Sequence, residues 1–122
     1  MSCKIGVKRV YEPPAAADGM RVLVDRLWPR GLRKDAASID LWLKEVAPSA
    51  ALRKWYGHEP ERWPEFRKRY EAELDARQAD VETLLRLARE GPLTLLYAAR
   101  DGERSNAEVL WERLEQRLAR RS

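Results

Sequence analysis

The fold is decided by residues 21–34, Arg-Val-Leu-Val-Asp-Arg-Leu-Trp-Pro-Arg-Gly-Leu-Arg-Lys. The unbroken apolar triplet Val22-Leu23-Val24 predicts a strand over Arg21–Asp25 that is buried on both faces, as in a parallel sheet with both sides covered. Pro29 disfavours helix at Trp28 and Gly31 permits a sharp turn, so the strand gives way to an irregular loop. The stretch carries five cationic side chains and one acid, and its net charge equals the +4 of the whole chain. Everything outside it balances, so the basic surplus is expected at one strand end. Loops at the carboxyl ends of strands are where open α/β sheets bind ligands. The arginine fork is also the side chain best shaped to grip phosphate or carboxylate. An anion site is expected here.

Working outward, the alternation from Lys4 to Tyr11 predicts a strand, and Pro13-Pro14 stops it. Residues 15–19 form a short connector with room for a helical turn. Ile39, Leu41 and Leu43 alternate with Asp40, Trp42 and Lys44, so Ile39–Val46 reads as strand in preference to a short helix. Ser49 is a natural N-cap for a helix over Ala50–Tyr56 that Gly57 terminates. Trp63, Phe66, Tyr70 and Leu74 make a helical apolar stripe, and Val81, Leu84, Leu85 and Ala88 continue it on a shifted face. A break near Ala76 to Asp80 is therefore expected. Gly91-Pro92 stops the helix, and Leu93–Ala98 is again an apolar strand. Ser105-Asn106-Ala107-Glu108 has the pattern of a capping box before a last helix lined by Ala107, Leu110, Trp111, Leu114 and Leu118. Strands separated by helices predict a single α/β domain over residues 1–122. Its expected form is a small three-layer sandwich on a mainly parallel sheet of about four strands flanked by helices, with Val22–Asp25 and Leu93–Ala98 adjacent.

One hundred and twenty-two residues, 44% of them apolar, suffice for one domain with a genuine core. No run approaches the roughly 20 apolar residues that span a bilayer, and Met1 to Val10 lacks the apolar region of a signal peptide. Cys3, the single cysteine, has no partner for an internal disulfide. Cytoplasm is the default compartment on these grounds, and Cys3 reads as inert more readily than as a reactive thiol. A pI near 9.5 invites a nucleic-acid reading. Outside residues 21–34, however, the charges are interspersed, apart from the tail Arg117, Arg120 and Arg121.

The chemistry gathers at two strand ends. Asp25-Arg26 ends one strand and Arg100-Asp101 the other, with Arg30, Arg33 and Lys34 nearby. The helix start at Ser105-Asn106 adds free N–H groups and a positive dipole end. These residues would bind an anionic small molecule bearing phosphate or carboxylate. In the plainer alternative, Asp25 with Arg100 and Arg26 with Asp101 are ion pairs that only fasten loops. Trp28 is either a cover over the core or a plate on which a planar ligand stacks. His58, the lone histidine, is a helix-start surface residue or a general base. No zinc motif, Walker A, GxGxxG, GxSxG or CxxC is present, so no metal, cofactor or covalent nucleophile is expected. If catalysis occurs, Asp25, Asp101 or His58 is the proton-transfer group. The rival partner is nucleic acid, with Arg30, Arg33, Lys34 and the arginine tail on phosphates and Trp28 on a base.

VDRLWPRG (24–31), APS (47–49), LRKWYGH (52–58), RWPEFRKRYEAEL (62–74) and TLLYAARD (94–101) carry a resemblance that spans nearly the whole chain. In order and spacing they resemble the YeaO-like branch of the domain-of-unknown-function family 488, which is bacterial and archaeal. The resemblance implies that Asp25, Arg26, Trp28, Pro29, Arg30, Gly31, Lys54, Trp55, His58 and Arg100 are family motif positions, without a reaction attached. Other branches carry cysteines near the strand end that corresponds to Tyr97–Arg100, and this sequence has none there.

Overall fold

The two apolar runs lie side by side at the centre of a parallel sheet. In the computed structural model, which describes residues 5–33, 38–57, 59–100 and 105–120, the strands are β1 (Ile5–Arg9), β2 (Met20–Leu23), β3 (Leu41–Trp42) and β4 (Leu93–Tyr97). The order is β1-β4-β2-β3, so the last strand inserts between the first two. Register places Val22 beside Leu95 and Leu23 beside Leu96. All five residues of β4 are buried, as a strand covered on both faces requires.

The helices are α1 (Ala50–Tyr56), α2 (Trp63–Asp75), α3 (Gln78–Glu90) and α4 (Asn106–Arg120). Buried side chains from all four join Val22, Val24, Leu93, Leu95 and Tyr97 in one core. On the opposite face Val10, Leu23 and Leu96 are covered by Trp28, Leu32, Ile39, Trp42 and Ala98. Among the described residues the chain is thus a small α/β sandwich, a four-stranded parallel sheet with four α-helices, and loop and aromatic side chains cover this second face. Trp28 and Trp42 meet edge to face at 5.5 Å, a geometry that aromatic quadrupoles favour.

The punctuation read from sequence holds. Ser49 Oγ accepts from Leu52 N–H at 3.1 Å, and Gly57 closes α1 in the left-handed region at φ 55°. The long helical stretch breaks after Asp75 and resumes at Gln78. Ser105 Oγ accepts Glu108 N–H at 3.2 Å at the start of α4. The residues expected as a strand over Ile39–Val46 behave differently: only Leu41–Trp42 pair with β2, and Lys44–Val46 is a 3-10 turn. The last rung to β2 is Leu43 N–H to the Leu23 carbonyl at 2.9 Å, and beyond it the Val46 carbonyl accepts from the Tyr70 hydroxyl of α2 at 2.6 Å.

Arg21 also departs from expectation. It sits early in β2, buried at 4% exposure, and its guanidinium is bonded to the Asp18 carboxylate and, at 2.8 Å, to the Ser38 carbonyl. Lys8 Nζ joins the same carboxylate at 3.1 Å. The Ala15 N–H bond, aided by these cations, holds the Asp18 carboxyl below its usual range. Arg21 is therefore part of the framework, and the surplus at the strand end is smaller than a count over 21–34 suggests.

Gly19, at the start of β2, has φ 63°, and an added Cβ would lie 2.2 Å from the Pro92 carbonyl oxygen. Met20 N–H donates to that carbonyl at 3.0 Å, so the obstruction is backbone that cannot swing aside. Gly19→Ala should destabilise the fold by more than about 1 kcal/mol, read as a lowered urea midpoint. An unchanged midpoint would contradict this packing of β2 against β4.

Candidate functional site

Because β2 and β4 are parallel neighbours, the segments that leave them emerge together. The Val24 N–H donates to the Leu96 carbonyl at 3.1 Å, and Ala98 N–H donates to Asp25 Oδ2 at 2.9 Å. From there the two chains part: residues 24–33 cover one sheet face and α4 packs on the other. A crevice at such a topological switch point is the usual ligand position in open α/β sheets. Here it is a cleft of about 740 Å³.

The charged residues lining it are Asp25, Arg26, Arg30, Arg53 and Arg100. Four guanidinium groups thus face one carboxyl group. Arg30, Arg53 and Arg100 have no acid within ion-pair distance among the described residues. The arginines of the helices contrast with them: Arg67 is bonded to Glu112, Arg113 to Asp75, and Arg117 to Glu82. Guanidinium groups do not shed their protons in proteins, so the cleft stays positive at every physiological pH.

Each cleft arginine is carried by a fastened segment. Arg30 follows the buried Pro29, and the Tyr11 hydroxyl donates to its carbonyl at 2.9 Å. Arg53 lies on α1, whose N-cap is held by Glu73: the carboxylate accepts Ser49 N–H at 2.8 Å and its hydroxyl at 2.6 Å. Arg100 follows Ala98-Ala99, whose carbonyls both accept from the Arg9 guanidinium at 3.0 Å. Arg26 donates to the Pro48 and Ala47 carbonyls at 3.2 and 3.4 Å and approaches Glu45 only to 3.8 Å. It straps the loop to the start of α1.

Asp25 lies at the inner end of the cleft. Burial is the main influence on its carboxyl and pushes it above the usual range, against the Ala98 N–H and Asn106 bonds and the Arg53 charge. Asn106 is spent on the fold: its Nδ2 donates to the Val24 carbonyl at 3.0 Å, and its side chain also bonds Asp25 and Tyr70. The Tyr70 hydroxyl, fully buried, is raised far above its ordinary value by desolvation.

Of the residues proposed from sequence, Asp25, Arg26, Trp28, Arg30, Arg100, Ser105 and Asn106 all line this one cleft. Asp101 and His58, with Lys34, Asp35 and Cys3, lie outside the described residues. Arg33 is exposed and is not part of the lining. Gly31, at φ 77°, turns the chain away before Arg33 is reached. The Asp25–Arg100 ion pair does not form. Ser105 is 2% exposed and works as a helix cap. Trp28 covers the core: its Nε1 donates to the Leu32 carbonyl at 2.7 Å and its ring packs on Trp42.

Sequence reasoning missed Arg9, Tyr11 and Arg53. Arg53 follows Leu52 and precedes Tyr56 by three, and both of those are buried. That helical offset puts Arg53 and Tyr56 along one edge of α1, which could have flagged it.

The family model described as the inactive DUF488-N3 subclade matches residues 4–122. The chain belongs to this family. Relatives within reach include the uncharacterized protein Rv3073c of Mycobacterium tuberculosis, 48% identical over 107 residues, 88% of this chain and 90% of that one. The uncharacterized protein YeaO of Escherichia coli (strain K12) is 44% identical over 106 residues, 87% of this chain and 92% of its own. No solved structure matches. Among the described residues no helix of this DUF488-N3 protein is long and apolar enough to cross a membrane, and no group of acids, histidines or cysteines could hold a metal ion.

The raised Asp25 carboxyl gives a pH prediction. Between its unfolded value of 3.8 and its higher folded value, the folded state holds more protons, so this group makes stability fall as pH rises. Asp25→Asn should therefore raise the melting temperature at neutral pH, and the gain should vanish as the pH drops through the folded value. A variant less stable than the parent at pH 7 would mean that the carboxylate is matched by a cation in the native state.

Proposed function

We propose that this protein binds a small molecule bearing phosphate or carboxylate in the arginine-lined cleft. One observation carries the reading: Arg30, Arg53 and Arg100 share a concave site with a single described acid, Asp25, which feels the Arg53 charge and forms an ion pair with none of the three. Gathering like charges costs folding free energy, and an entering anion would relieve that cost through charge-assisted bonds to planar forks. The position beyond the carboxyl ends of two parallel strands is favourable for such a ligand. Asp25 would receive a hydroxyl or N–H of the same molecule, since burial leaves it a poorly solvated acceptor.

The reading is binding, with no turnover assigned. The family description carries the word inactive, which agrees with a retained pocket and no reaction. Of the three candidate proton-transfer groups, Asp25 is the one whose surroundings are described, and Asp101 and His58 are kept only as sequence candidates. The nucleic-acid alternative drew on Trp28 and the arginine tail. Trp28 is packed into the core and Arg117 is bonded to Glu82, so less support remains for it.

Thermal-shift titration with phosphate, pyrophosphate and citrate tests the proposal. At least one of these anions should raise the melting temperature in a saturable way. Arg30→Ala and Arg100→Ala should leave the ligand-free stability within about 0.5 kcal/mol of the parent, because neither side chain has an ion pair among the described residues. Each should weaken binding by roughly tenfold, the loss expected for one hydrogen bond to a charged group. A protein unmoved by all three anions would overturn the reading. Retention of single-stranded oligonucleotides with a steep salt dependence, and no small-anion response, would shift it to nucleic acid.

A further inference from the structure

Three large hydrophobic residues are exposed among the described residues, and two of them, Tyr11 at 44% and Leu27 at 62%, line the arginine cleft. An inorganic anion would use the guanidinium groups and leave this apolar rim in water. A cleft of about 740 Å³ is also far larger than phosphate or sulfate requires. Pockets of this volume usually take organic molecules held by a few polar groups and an apolar wall.

Tyr11 is held in a particular way. Its hydroxyl is fixed to the Arg30 carbonyl at 2.9 Å, and the Arg9 guanidinium lies over its ring, 5.1 Å from the centroid. Arg9 is itself immobilised by the Ala98 and Ala99 carbonyls. With the hydroxyl tied and one ring face covered, the exposure that remains belongs to the rest of the ring. Its conformational entropy is already spent, so a second planar group can stack there without ordering it. The tether also joins the ring directly to the backbone of a cleft arginine, which keeps an aromatic surface and a cation at a fixed spacing.

We infer that Tyr11 is the stacking platform of this site and that its ligand joins a planar aromatic ring to a phosphate or carboxylate group, as nucleotides and aryl phosphates do. This rests on the anion reading above and narrows it. The stacking role that the sequence left as the alternative for Trp28 passes to Tyr11, because the Trp28 ring packs on the second core as a cover.

Isothermal titration of the full chain at fixed low salt compares methyl phosphate, phenyl phosphate and adenosine monophosphate, which present the same phosphomonoester with and without a ring. The ring-bearing probes should bind about tenfold or more tightly than methyl phosphate, the range expected for one aromatic stack. In Tyr11→Ala that advantage should disappear while methyl phosphate binding changes little, and Tyr11→Phe should retain most of it. A preference for adenosine monophosphate over phenyl phosphate would point to nucleotides, and equal binding to aryl phosphates in general. Ring-bearing probes no better than methyl phosphate, or an advantage that survives Tyr11→Ala, would overturn the inference and leave the anion reading intact. Failure of all three to bind would overturn the inference, and only a flat citrate response beside it would remove the anion reading as well. Tighter Tyr11-dependent binding of a single-stranded oligonucleotide than of the mononucleotide would overturn the small-molecule assignment.

Discussion

The rung in which Val24 N–H meets the Leu96 carbonyl at 3.1 Å ends the pairing of β2 with β4, and the site is assembled on it. Both strands are buried on both faces apart from Met20, as suits the centre of a covered sheet, and they pair in parallel. Once they are neighbours, Asp25-Arg26 and Ala98–Arg100 must emerge side by side. The Ala98 N–H then bonds the Asp25 carboxylate, and the two exits divide between opposite faces. The cleft is the gap that this division leaves. Its apolar floor reaches the aromatic cluster of Tyr56 and Phe66, whose ring centroids are 4.6 Å apart.

Charge is distributed in two distinct ways across the molecule. On the framework, several cations are matched: Arg21 and Lys8 on Asp18, and Arg67, Arg113 and Arg117 on acids of neighbouring helices. In the cleft, Arg30, Arg53 and Arg100 form no ion pair with a described acid, and the one carboxyl present, Asp25, is held partly desolvated beside a backbone N–H and within the field of Arg53. Those cations sit on backbone segments pinned by Arg9, Tyr11 and Glu73, and their own side chains are exposed. They contribute little to folding and would contribute much to binding.

Local chemistry was legible in the sequence. The doubly buried strands, the Ser49 and Gly57 caps, the break after Asp75 and the Ser105 cap all follow from adjacent residues. Seven of the proposed site residues meet in one cleft because the strand ends were identified correctly. What was not legible depends on distant partners. Arg9 clamps a carbonyl 90 residues away, and nothing around Arg9 announces it. The charge count over 21–34 included Arg21 but excluded Asp18, three residues earlier, which neutralises it. Ile39–Val46 alternates as a strand should, yet only Leu41–Trp42 is strand, and Lys44–Val46 turns to meet a hydroxyl from α2. Trp28 is the same kind of case, since only the fold reveals Trp42 behind it.

Nitrogen-resolved NMR of the arginine side chains during titration with pyrophosphate tests the central claim most directly, because each guanidinium reports separately. The Nε–H resonances of Arg30, Arg53 and Arg100 should shift together and saturate with one affinity, while those of Arg67, Arg113 and Arg117 stay fixed in their ion pairs. Uniform small shifts across both groups, or none in the cleft, would contradict the account.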